Sequence, residues 1–151
     1  MGIAGYNYGA KKLSRIEETY RTTIRFGLCI AFLGVVVFLA IPGTLLDAFS
    51  ASAAMKEIGI PALRIICISF LPASVSMMIG YTLSGLGNGM VNLIATALRQ
   101  CILLLPFVFL FGKIGGISLI WFAFWISEAC AGIYAIWHLK KNMKRVQTAI
   151  N

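Results

Sequence analysis

The chain has 151 residues, of which 60% are hydrophobic and only 12% are charged, and its mean hydropathy is +0.89. Soluble domains are about a quarter charged and about 45–50% apolar, so this composition argues against a soluble enzyme. A disordered chain needs the opposite composition and is excluded as well. The net charge of +8 raises nucleic acid as a partner, but the basic residues cluster beside long apolar stretches, as they do in membrane proteins.

The first predicted helix precedes the apolar stretches. Apolar side chains recur at helical spacing at Leu13, Ile16, Tyr20 and Ile24, among basic residues. This pattern predicts a short amphipathic helix over residues 13–25 that lies on the cytoplasmic leaflet. The alternative interpretation is that these residues only lead into the first membrane span.

Four apolar stretches then predict four transmembrane helices, at residues 26–46, 65–83, 93–112 and 117–139. The first contains 21 uncharged residues, more than the 7–15 of a signal-peptide core, and three more spans follow, so a signal peptide is disfavoured. The Gly-rich segment 84–89 interrupts the apolar sequence and predicts a turn over residues 85–92, between the second and third spans. Pro72 and Pro106 lie inside spans and predict kinks.

The distribution of basic residues predicts the orientation of these spans. Ten of the thirteen lie on one side, in the segment before the first span, at Arg99 and in the tail at residues 140–151. The positive-inside rule therefore predicts a multi-pass cell-membrane protein with both termini in the cytoplasm. The excess positive charge is then attracted to anionic lipid, and no nucleic-acid partner is expected.

The sequence contains no pattern typical of an enzyme or a metal site. The glycines at 85, 87 and 89 form G-x-G-x-G, which differs from the dinucleotide fingerprint and is better explained by a turn that ends a helix. The four cysteines lie 29 to 38 residues apart in separate apolar stretches, so no metal ligand set is expected. We expect no cofactor.

Glu128 is the single acidic residue within a predicted span. A charged carboxylate in hydrocarbon is costly unless it is paired or hydrated, so Glu128 is a candidate for a proton or substrate pathway. The alternative is a protonated or hydrogen-bonded packing residue. Ser76, Met77 and Tyr81 in the second span are further pathway candidates, although the small-residue stripe that contains Ser76 is also typical of close helix packing.

Four segments together resemble one transporter family. Residues 5–11, GYNYGAK, resemble the cytoplasmic loop signature of the multidrug and toxic compound extrusion (MATE) family. The turn at residues 84–88, the ALRQ segment at 97–100 and the GGISLIW segment at 115–121 follow in the order and spacing of that family's C-terminal half. The resemblance runs from the end of helix 8 through helix 12 and covers essentially the whole chain. It implies part of a twelve-helix fold, with residues 1–12 as the cytoplasmic loop motif.

The resemblance implies a secondary exporter that exchanges cationic or amphipathic drug-like compounds for Na⁺ or H⁺ by alternating access. Gly5, Asn7 and Gly9 are then expected to act in packing and gating between helices, and Arg99 to anchor at the cytoplasmic interface and pair with that loop. Residues 71–75 carry no acid where some branches have a cation ligand, so the ligands of the coupling ion stay unassigned. Met1 precedes a motif that lies mid-protein in the family, which predicts missing N-terminal helices and no activity of the chain alone.

Two other functions stay open from the residues alone. The first is a self-contained four-helix, proton-coupled exporter that acts as a dimer, although such proteins use a carboxylate on their first helix and the first span here has none. The second is a purely structural membrane subunit.

Overall fold

The computed structural model describes residues 1–150, with side-chain environments described through Thr148, and every regular element in this range is helical. The α-helices are α1 (Gly2–Gly9), α2 (Leu13–Ala40), α3 (Pro42–Ala48), α4 (Ala53–Ile66), α5 (Phe70–Gly85), α6 (Gly89–Ala97), α7 (Leu104–Ile120) and α8 (Phe122–Ile150). A 3₁₀ turn at Cys67–Ser69 joins α4 to α5, and a π-helical turn at Leu98–Ile102 joins α6 to α7.

Four helical segments in the described range are long and apolar enough to cross a membrane. They are Leu13–Ala40, Ala53–Gly85, Gly89–Ile120 and Phe122–Thr148. The second combines α4 with α5, and the third combines α6 with α7. The prediction of an all-α membrane protein with four spans is therefore confirmed, although most spans begin earlier or end later than the apolar stretches indicated.

Helix α2 corrects the prediction of a helix on the leaflet over residues 13–25. Residues 13–40 form one continuous helix, and the amphipathic segment is its first half. Ile16 is fully buried, and Tyr20 and Ile24 pack against the same apolar cluster. The apolar face is thus covered by α5 and α8 rather than by lipid. The helix stops at Ala40 instead of residue 46 because Pro42 disfavours helical geometry at Ile41.

Pro72 and Pro106 interrupt their helices as predicted, whereas Pro61, which also lies inside the second observed span, leaves α4 continuous. Proline lacks the N–H that would bond the carbonyl four residues earlier, and its ring crowds that turn. Pro72 follows the 3₁₀ turn that contains Ile68, and Pro106 follows the π-helical turn that ends at Ile102. In the π-helical turn the Leu103 amide donates to the Leu98 carbonyl at 3.0 Å. Both interruptions lie well within their membrane spans.

The apolar core of the described chain gathers where α5 ends. It consists of eight buried side chains from α2, α5, the following turn, α6 and α8: Ile16, Ile79, Leu83, Leu86, Val91, Ala135, Leu139 and Val146. The turn after α5 contains Gly87 in a left-handed conformation (φ 85°), which glycine adopts without a steric penalty. The Asn88 side-chain amide donates to the Asn142 side-chain carbonyl and ties this turn to α8.

The last helix extends beyond the predicted end of its span. The prediction is a tail over residues 140–151, whereas α8 continues without interruption to Ile150, and residue 151 lies outside the described residues. Near its other end the chain bends at Gly115 and Gly116, the latter with a φ of 65°, within α7. These glycines lie near the end of the third span, and the last span begins at Phe122, five residues after the predicted start at residue 117.

The predicted loop motif at residues 1–12 is mostly helical. Helix α1 packs against the end of α5 through two glycines, Gly5 and Gly85. A Cβ atom on Gly5 would lie 2.9 Å from the Gly85 carbonyl oxygen, and one on Gly85 would lie 2.6 Å from the Met1 carbonyl oxygen. The two backbones therefore approach more closely than any other residue type allows without movement.

Candidate functional site

The candidate site is a cavity at the level of both helix interruptions. Its volume is about 370 Å³, and it lies between the α4–α5 junction, the π-helical turn and α8. The lining residues are Ile66, Ser69, Phe70, Ala73, Ser74, Met77, Arg99, Gln100, Phe124 and Glu128. Half of the ten lining residues are apolar and half are polar, among them one acid and one base. Apolar walls with a few convergent polar groups are typical of a small-molecule site.

Arg99 and Glu128 form an ion pair at this cavity. The Arg99 Nε lies 3.6 Å from the Glu128 Oε1, and the two side chains are 9% and 12% exposed. The second carboxylate oxygen, Oε2, is buried and has no hydrogen-bond partner within the described part of the chain. The pair thus balances charge while leaving one strong acceptor unoccupied, which is an unusual arrangement for a buried carboxylate.

The π-helical turn explains how Arg99 reaches Glu128. Arg99 lies ten residues after the start of α6, about 15 Å along the helix, and therefore deep in its span. A π-helical turn adds one residue per turn and re-aims the side chains within it, and such turns are frequent at functional sites. Pro106 favours this irregular turn.

The polar groups freed by the α4–α5 junction also find partners near the cavity. The Trp125 indole Nε1 donates to the Ile65 carbonyl at 2.7 Å, and the Ser69 hydroxyl donates to the Ile66 carbonyl at 2.7 Å. The bond from Trp125 attaches α8 to the interrupted helix one turn away from Glu128, whereas the bond from Ser69 stays within the junction. Gln100 is a cavity residue that the sequence alone did not identify, and Pro106 was the signal that could have located it.

The structure brings together some of the predicted pathway residues and separates others. Met77 and Glu128 line the same cavity. Ser76 is 4% exposed and lines a separate void of only about 10 Å³ beside Arg99. Tyr81 is 44% exposed and lies one turn beyond these residues on α5. Ser76 is thus packed between helices, the alternative that the small-residue stripe left open.

The structure corrects the predicted environment of Arg99. Arg99 was assigned to the cytoplasmic interface as a partner of the loop motif. It is instead buried and faces Glu128. In the loop motif, Gly5 contacts α5, whereas Gly9 has open space around it. Asn7 donates to the Ile3 carbonyl at 2.9 Å and lines a separate groove of about 400 Å³ between α1 and α2.

Comparison with known proteins assigns the family. The family model described as MatE matches residues 1–110. The chain belongs to the MATE family. The family predicted from the sequence segments is therefore confirmed, and MATE proteins are transporters rather than enzymes. No curated protein sequence matches the chain.

Solved MATE transporters share the fold. The Vibrio cholerae MATE transporter VcmN in its bent form is 23% identical, with a TM-score of 0.86 over 96% of this chain and 33% of its own. A multidrug resistance MATE transporter of the MOP superfamily in an inward-facing conformation is 20% identical, with a TM-score of 0.89 over 97% and 34% of the two chains. An outward-facing conformation of such a transporter is 22% identical, with a TM-score of 0.88 over 96% and 33%. The chain thus spans about a third of these twelve-helix transporters.

Proposed function

We propose that this chain forms the C-terminal part of a secondary multidrug exporter, which exchanges cationic or amphipathic compounds for Na⁺ or H⁺ by alternating access. The chain depends on the helices that precede it in the solved transporters and does not transport alone. The observation that carries this proposal is the cavity with a buried carboxylate, Glu128, whose Oε2 has no partner. Membership of the MATE family supports the transport class.

Glu128 is the group that we propose to bind the coupling cation or proton. Its free oxygen accepts a proton from water or contacts Na⁺, and either event weakens the attraction between Glu128 and Arg99. Because Arg99 belongs to the third span and Glu128 to the fourth, the charge state of the carboxylate changes the contact between two membrane helices. A cationic substrate at the cavity competes for the same carboxylate.

Large apolar side chains on the surface of the chain support the proposal that further helices pack against it. Helix α7 has no buried residue, and large apolar side chains are also exposed along α2, among them Phe32 and Leu33, at 58% and 64%. Lipid covers part of this surface in a membrane. The remaining helices of the transporter cover the rest and close the central cavity.

Transport assays test this proposal. We expect no gradient-driven uptake of a cationic dye by vesicles that contain this chain alone, and restored uptake when the preceding helices are co-reconstituted. Glu128→Gln should abolish the restored uptake, because the amide neither ionises nor binds a cation as a carboxylate does. Glu57→Gln, which changes an exposed acid outside the cavity, is the matched control and should retain it. Robust uptake by the chain alone would favour the self-contained exporter, and uptake that survives Glu128→Gln would remove Glu128 from coupling.

The proposed location is the cell membrane, with both termini in the cytoplasm. Removing the buried Arg99 from the count leaves nine basic residues on the predicted cytoplasmic side against three on the other. In a background without native cysteines, a cysteine at Phe49, which is 85% exposed between α3 and α4, should react with an impermeant maleimide added outside cells. A cysteine at Lys12 should react only after the cells are opened. The reverse pattern of labelling would invert the topology.

A further inference from the structure

One face of α8 changes along its length from apolar to aromatic to basic, which is complementary to the acyl chain, glycerol region and acidic headgroup of a phospholipid. Six exposed residues recur at spacings of three and one: Ile133, Ile136, Trp137, Lys140, Lys141 and Lys144. The first two are apolar, the third is an amphipathic aromatic, and the last three are basic. These residues extend over about 16 Å, and their order from apolar to basic matches the order from hydrocarbon to headgroup in a bilayer leaflet.

The opposite face of the same helix is already occupied. Ala135, Leu139 and Val146 are buried in the apolar core, and Asn142 is bonded to Asn88. The exposed face is therefore turned away from the described part of the chain. Its apolar half is complementary to an apolar neighbour, and its basic half is complementary to an anionic one.

The basic half forms a concave site. Trp137 and the three lysines line a niche of about 280 Å³, and the Lys141 Nζ lies 5.0 Å from the centroid of the Trp137 ring. The ring of His138 packs edge-on against Trp137 with a centroid separation of 4.7 Å. Glu128, the one acid in the described part of α8, lies twelve residues before Lys140, so no carboxylate of this helix competes for the lysines.

We propose that this face is a binding site for one acidic phospholipid. The phosphodiester and the anionic headgroup bind Lys140, Lys141 and Lys144, Trp137 lies at the glycerol level, and an acyl chain follows Ile136 and Ile133. Charge complementarity selects an acidic headgroup over a zwitterionic one, and the apolar half selects a lipid over a free phosphate ion. This inference concerns lipid binding and does not depend on the proposed transport cycle.

Fluorescence quenching of Trp137 tests this site in the full chain. In a Trp121→Phe/Trp125→Phe background, Trp137 is the remaining tryptophan, and the chain is reconstituted in phosphatidylcholine with traces of brominated phosphatidylglycerol or brominated phosphatidylcholine. Each basic residue near an acidic headgroup contributes about fivefold in affinity. We therefore expect brominated phosphatidylglycerol to bind at least about tenfold more tightly than brominated phosphatidylcholine.

Two charge-matched triple variants identify the origin of the preference. The preference for phosphatidylglycerol should fall about tenfold or more, to near unity, in the variant Lys140→Gln/Lys141→Gln/Lys144→Gln. The preference should be preserved in the variant Lys11→Gln/Lys12→Gln/Arg21→Gln, which removes three exposed basic residues elsewhere. Far-UV circular dichroism shows that each variant is folded. Equal quenching by both lipids in the parent chain, or equal loss in both triple variants, would overturn the proposal. The first result would mean that no acidic lipid is selected, and the second that only the total charge attracts it.

Discussion

Replacing Arg99 with methionine is expected to lower the free energy of unfolding by about 3–5 kcal/mol. The substitution leaves the Glu128 carboxylate buried without a counter-charge, and a buried charge that loses its partner costs about this much. Equilibrium unfolding of the chain in mixed lipid–detergent micelles measures the loss. The same change at Arg64, which is exposed, is the matched control and should cost less than about 1 kcal/mol.

The double variant Arg99→Met/Glu128→Met tests whether the loss of stability in Arg99→Met comes from the ion pair with Glu128 or from other contacts of Arg99. An apolar pair in place of a buried ion pair is often neutral or stabilising, so the double variant should recover most of the stability that Arg99→Met loses. The recovered protein should still fail to transport when it is completed by the preceding helices. The single variant Glu128→Met completes the cycle. If the losses of Arg99→Met and Glu128→Met add in the double variant, Arg99 and Glu128 are not coupled and the cavity loses its proposed ionic role.

Replacing Gly5 with valine is expected to separate α1 from α5. The new side chain would meet the Gly85 carbonyl oxygen, a backbone atom that cannot move aside as a side chain can. Overpacking of this kind costs about 1–3 kcal/mol. Amide hydrogen exchange along α1 should consequently accelerate about 10- to 100-fold, because the helix opens without unfolding the whole chain.

Gly9→Val is the matched control, since it places the same side chain in the same helix and no atom lies within 4 Å of the new Cβ position. Exchange in this variant should remain within about threefold of the parent chain. Equal acceleration in both variants would mean that valine weakens α1 through helix propensity and that the contact between Gly5 and Gly85 is unimportant.

The sequence by itself determined that this protein lies in a lipid bilayer and how many times it crosses it. Four apolar stretches are each long enough to cross the bilayer, and they leave little choice, because unpaired backbone groups in hydrocarbon force each of them into a helix. Pro72 and Pro106 also identified where helices are interrupted, since the missing N–H and the ring act locally. Glu128 was recognised for a similar reason, because an acidic residue within an apolar stretch is visible in the sequence and a carboxylate in hydrocarbon is costly whatever the fold.

Other features depend on residues that are distant in the sequence, and only the tertiary structure decided them. Periodicity showed that Ile16 and Ile24 share an apolar face, but lipid and protein bury such a face equally well, and the covering surface comes from α5 and α8. Arg99 and Glu128 are 29 residues apart, and their contact requires the π-helical turn and the packing of the third span against the fourth. Whether charges on two helices come into contact depends on how each helix is rotated about its axis, and residue spacing within one helix does not specify this rotation. The sequence therefore identified the buried acid, and the fold identified its partner.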